Sequence, residues 1–82
     1  MADLLLIKVG KREQNALKVQ ELLSRYGCNI KVRLGLHEFS SECEGEDEGI
    51  IVLELSGKLE EFKKLKEELE KIEGVKAIYE EL

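Results

Sequence analysis

Two stretches of the chain are apolar at nearly every position: LLLIKV (Leu4 to Val9) and IIVLEL (Ile50 to Leu55). A short apolar run without alternation predicts a buried strand, and Gly10 and Ser56-Gly57 mark where the two runs stop. A third stretch, NIKVRLGLH (Asn29 to His37), alternates instead. Ile30, Val32, Leu34 and Leu36 fall on one side and Lys31, Arg33, Gly35 and His37 on the other, which predicts a strand with one buried face. VKAIYEEL (Val75 to Leu82) closes the chain with a last strand.

Between these runs the period lengthens. Ala16, Val19, Leu23 and Tyr26 recur at three- and four-residue steps, flanked by Leu17 and Leu22, while Lys18, Gln20, Glu21 and Arg25 lie opposite. The spacing predicts a helix over Glu13 to Tyr26, with Gly27 at the position where a left-handed glycine ends helices. After Gly57, the stripe Leu59, Phe62, Leu65, Leu69 and Ile72 predicts a second helix that Gly74 ends. Glu60/Lys64 and Glu67/Lys71 sit at i,i+4 on its wet face, each pair contributing about 0.2–0.5 kcal/mol.

The order strand, helix, strand, strand, helix, strand is the βαββαβ ferredoxin-like plan. This α+β fold has a four-stranded antiparallel sheet with two helices on one face, here as a single domain over residues 1–82. The plan puts the first and third strands in the centre, and those are the two continuously apolar runs; the charged second and fourth suit edges. With both helices on one face, the other is open. Leu4, Leu6, Ile50, Val52 and Ile78 have the parity to point there; a contiguous apolar patch of that kind marks a partner surface, the alternative being that the long acidic loop shields some of these residues. A homo-oligomer, dimer or tetramer, is the simplest expectation.

Composition narrows the partners. A chain of 82 residues buries only about 60% of its unfolded surface, so association would help hold it together. The net charge of −5, with lysines interleaved among glutamates, argues against direct binding to nucleic acid. No apolar run is long enough to span a membrane, and no signal peptide is evident. Two cysteines make no disulfide framework, so a cytoplasmic protein with reduced thiols is expected. Charged residues reach 38%, mostly Lys and Glu, without proline, a bias that suits a thermophile.

Candidate chemistry gathers in HEFSSECEGEDEG, His37 to Gly49. Its six carboxylates do not follow a calcium loop: counting from Glu42, the sixth position is Asp47 rather than glycine and the twelfth is Leu53. Residues 38–49 are expected as a long, solvated connection between strands. His37 and Cys43 are the two candidate soft-metal ligands, too few for a closed site unless a symmetric oligomer doubles them. By alternation, His37 and Arg33 lie on the open face of the sheet, where they would make a small basic spot able to meet a carboxylate or phosphate. Cys28 is expected to be a packing residue. The first loop, GKREQN, has no Cys-x-x-Cys, and the central strands have no stacking aromatics. No nucleophile, base or carboxylate pair is placed on rigid elements, so neither an enzyme nor a cofactor is expected.

ALKVQELLSRYGCNIKVRLGLHE (Ala16 to Glu38) and GIIVLELSGKLEEFKKLKEELEKIEGVK (Gly49 to Lys76) resemble the small proteins described as iron-only hydrogenase system regulators. The telling pieces are VQELLSRYG, RLGLHE, GIIVLELSG and IEGVK, so the resemblance covers most of the chain outside the acidic loop. That family looks like a stand-alone relative of ACT domains and of the C-terminal domain of the nickel-responsive repressor. The resemblance implies a regulatory, oligomeric, non-catalytic module that senses a ligand at an interface. Two departures are plain. ACT amino-acid sensors carry a glycine in the loop after the first strand, where this chain reads GKREQNA with Gln14 or a neighbour. The repressor's His-x-His pair and the cysteine opening its third strand are also absent, for Gly35-Leu36-His37 and Ile50 stand there. The nickel site is not carried over.

Overall fold

The computed structural model describes residues 2–10, 12–37 and 49–82, with backbone alone at 12–14, 36 and 37. The elements are β1 (Asp3–Val9), α1 (Arg12–Arg25), a 3-10 turn (Gly27–Asn29), β2 (Ile30–His37), β3 (Gly49–Leu55), α2 (Leu59–Glu70) and β4 (Val75–Glu81). The four strands form one antiparallel sheet in the order β2-β3-β1-β4. This is the ferredoxin-like α+β arrangement, with the two apolar runs in the centre of the sheet.

Alternate residues of each central strand meet the helices. Leu5, Ile7 and Val9 of β1 and Leu53 and Leu55 of β3 are buried with Val75 and Ala77 of β4. Val19, Leu22 and Leu23 of α1 and Phe62, Leu65 and Leu69 of α2 cover them in one cluster. Leu17 and Leu59 lie outside that cluster and are exposed. A fully buried leucine such as Leu65 contributes about 1.5–3 kcal/mol through burial.

Three local devices hold the layers in register. Ser56 N donates to Asn29 O at 2.7 Å, and Asn29 Nδ2 donates to Ser56 O and to Glu61 Oε2 at 3.2 and 2.7 Å, tying the start of β2 to the entry of α2. Lys58 N donates to Glu61 Oε1 at 3.3 Å, satisfying an amide at the start of α2 that the helix leaves without a partner. At the far end Gly74, with φ of 82°, turns the chain from α2 into β4. Gly27 does not play the corresponding part for α1. It lacks a positive φ, and the Tyr26 amide is shared between Leu22 O and Leu23 O, so the helix tightens into a 3-10 turn instead of stopping on a left-handed residue. Cys28 lies in that turn and is exposed, not packed.

The largest difference from the alternation in the sequence is in β2. Ile30 pairs with Leu55 but Val32 pairs with Glu54, so Lys31 is an extra residue in the ladder, a β-bulge. Ile30 packs on the core. Beyond the bulge the parity reverses: Arg33, Gly35 and His37 are opposite Leu53, Ile51 and Gly49, whose parity is that of the helix side. Val32 and Leu34 therefore belong to the open face, 52% and 53% exposed.

Candidate functional site

The outer face of the sheet is a grid that the three pairings define. Its central row runs Leu34, Val52, Leu6, Ile78 from β2 to β4, apolar on all four strands. On one side the row is Val32, Glu54, Leu4, Glu80; on the other it is position 36, Ile50, Lys8, Lys76. Leu4, Leu6 and Val52 are half-buried, whereas Ile50 and Ile78 are 45% and 56% exposed. All five of the open-face residues expected from parity are brought together here. Val32 and Leu34 join them because the bulge turns them outward, and so the apolar surface is larger than the sequence implied. The covered face needs nothing further to complete its core.

Arg33 and His37 do not share that surface. The expected basic spot beside the apolar face is corrected by the ladder: both positions have helix-side parity, on the edge strand. Arg33 is exposed all the same. Cys43 and residues 38–48 lie outside the described residues. Among the described residues, no three His, Cys, Asp or Glu side chains converge into a group that would hold a metal ion. No helix among them is long and apolar enough to cross a membrane.

Two further places have polar character. A groove of about 690 Å³ between α1 and α2 is lined by Lys18, Arg25 and Lys71 interleaved with Glu21 and Glu68. Opposite charges alternate along it, so it presents no field of one sign for a charged ligand. Glu68 already accepts a hydrogen bond from Tyr26 Oη at 2.9 Å. Burial, followed by that bond, raises the tyrosine's pKa.

The second place is the β1–α1 junction, where the resemblance to ACT sensors expects a ligand loop. Asn15, only 6% exposed, donates from Nδ2 to Gly10 O at 3.0 Å and to Glu73 O at 2.7 Å. Gly10 N donates to Gly74 O at 2.8 Å. A Cβ on Gly10 would stand 3.2 Å from Gly74 O, so the glycine is there to let the two turns approach. The junction is thus cinched to the α2–β4 turn from within the chain. Sequence reasoning passed over Asn15; a single asparagine in a charged helix start gives no signal until the distant Glu73 carbonyl is seen beside it.

At the other end of the sheet Tyr79 Oη donates to Asp3 Oδ1. That hydrogen bond, with partial burial and the nearby carboxylates, pushes the phenol up to about 12. The ring of Tyr79 rests 6.1 Å from that of Phe62, tilted by 34°.

No family model and no curated protein matches the chain. Among solved structures it is similar to an uncharacterized protein from Thermotoga maritima, at 28% identity over 96% of this chain and 92% of that one, with a TM-score of 0.81. The likeness runs through both helices and all four strands, and it supports the ferredoxin-like arrangement at nearly full length.

Proposed function

We propose that the protein is a small, non-enzymatic regulatory module of ACT-like character that acts as a homo-oligomer. It binds a small ligand or a protein partner at a subunit interface and works in the cytoplasm. The observation that carries this reading is the unbroken apolar row across all four strands, on the face opposite the helices and outside the buried core cluster. Soluble monomers rarely expose a contiguous apolar surface of that extent unless something docks there. The resemblance of VQELLSRYG, RLGLHE and GIIVLELSG to iron-only hydrogenase system regulators supports placing the module in control of such a system. The net charge of −5 supports protein or small-molecule partners over nucleic acid.

Light scattering on the purified chain at micromolar concentration tests the oligomer, and a monomer at every concentration would end the proposal. A thermal-shift screen with amino acids and nucleotides then separates a ligand-sensing module, which gains stability in proportion to ligand occupancy, from an assembly protein that does not respond.

A further inference from the structure

The three rows of the outer face differ in sign as well as in hydrophobicity. The row at one end of the strands carries Glu54 and Glu80, the row at the other end carries Lys8 and Lys76, and the row between them has no charge. The rows are two residues apart, about 6.8 Å. The face is thus polarised along the strand direction, acidic to basic, across an apolar middle.

A twofold axis that brings two such faces together has two simple orientations in the plane between them. If it runs along the strands, like rows meet: four glutamates collect at one end of the interface and four lysines at the other. If it runs across the strands, along the central row, each strand is reversed over its counterpart. Leu34, Val52, Leu6 and Ile78 then face the same row of the partner, and the acidic row of each copy covers the basic row of the other. Glu80 comes over the partner's Lys76 on the same strand, while Glu54 comes over the partner's Ile50, one strand away from Lys8. Face-to-face sheets sit about 10 Å apart, a gap that a glutamate and a lysine bridge together. Like charges facing each other across a desolvated surface are costly, so the charge pattern selects the second orientation.

We propose that a second copy of this chain docks on the outer face through a twofold axis lying across the strands, so that the Glu54/Glu80 row of each protomer covers the Lys8/Lys76 row of its partner. This rests on the homo-oligomer proposed above and adds its orientation. The interface is isologous and closes at two copies through this face. The apolar central row supplies the affinity, and the charged rows fix which way round the copies meet.

Sedimentation measurements of the dimer dissociation constant test both levels. Ile78→Glu and Leu34→Glu each bury two carboxylates in the apolar row and are expected to weaken the dimer at least about tenfold. Both side chains are more than half exposed, so the fold survives, which circular dichroism checks. E80K is expected to weaken the dimer roughly 2- to 20-fold, and E80K/K76E to restore it. Raising salt should shrink both effects. A wild-type monomer, or a dimer indifferent to Ile78→Glu and Leu34→Glu, overturns association through this face altogether. A dimer that Ile78→Glu dissolves but that E80K leaves unchanged or tightens overturns only the orientation, because relieving a rim of glutamates is what the alternative axis predicts.

Discussion

Leu5 and Leu6 are adjacent on β1, identical in chemistry and on opposite faces of the sheet. Leu5 is fully buried beneath the helices; Leu6, on the open side, is only half-buried. The same contrast holds for Leu53 against Val52 on β3, and for Ala77 against Ile78 on β4. Both faces carry large apolar side chains, yet the helices enclose only one. The helices supply enough side chains to close one core, and no element among the described residues forms a third layer to close another. Apolar character on the covered face is therefore about stability, and on the open face it is about what the molecule meets.

Substitutions separate the two faces. The largest effect is expected at the covered face: Leu53→Ala should cost about 2–5 kcal/mol in urea denaturation, since the side chain is fully enclosed and leaves a cavity. Ile78→Ser, measured at a dilution where association is negligible, should change stability by only about 0.5 kcal/mol or less. Equal losses at both positions would erase the distinction.

Asn15→Ala comes next. It leaves the Gly10 and Glu73 carbonyls without their donor and should cost about 1–3 kcal/mol. Asn15 is on α1 and belongs to none of the three rows of the open face, so the dimer dissociation constant of the folded protein should stay as it was.

Deleting Lys31 sharpens the comparison from the other side. If Lys31 is the bulge, its removal joins Ile30 directly to Val32 in regular alternation and leaves every later pair of β2 in place. The variant should fold, within about 1 kcal/mol of the parent, and still dimerise. In a strand without a bulge the same deletion would send Val32 and Leu34 to the opposite face, and folding would suffer badly.

The smallest effect is an alkaline one. The Tyr79 phenol titrates ordinarily at 10.0 and in the folded protein at about 12, because the Asp3 carboxylate accepts its proton in a hydrogen bond. The folded state thus holds a proton that the unfolded state releases first. Stability from this pair is complete below pH 10 and falls as the pH climbs towards about 12. Tyr79→Phe should flatten that decline in denaturation curves taken across the window. Tyr26, also raised, leaves a residual slope.

Much of this was open to a reader of the residues. The two unbroken apolar runs become the two central strands, and the stripe Phe62, Leu65, Leu69 becomes the buried side of α2. Hydrophobic period is set by local geometry, which is why those elements emerge from spacing alone. In β2 the period was equally clear and the phase was not. Ile30, Val32, Leu34 and Leu36 share a spacing, but nothing in their identities says that the register slips at Lys31 between the first and the second. For the same reason Arg33 and His37 seemed to belong to the open face. Gly27 and Cys28 misled in a smaller way, since a glycine after a helix is compatible with a 3-10 turn as well as with a left-handed stop.

The sequence by itself determined the elements, their order and the existence of a second apolar surface, because each follows from side-chain periodicity along a short span. Only the tertiary structure decided which residues make up that surface and how its charges are ordered. A row such as Leu34, Val52, Leu6 and Ile78, or an acidic pair such as Glu54 and Glu80, is drawn from strands far apart in the chain. Their alignment depends on strand register, and register is fixed by pairing across the sheet and by one inserted residue.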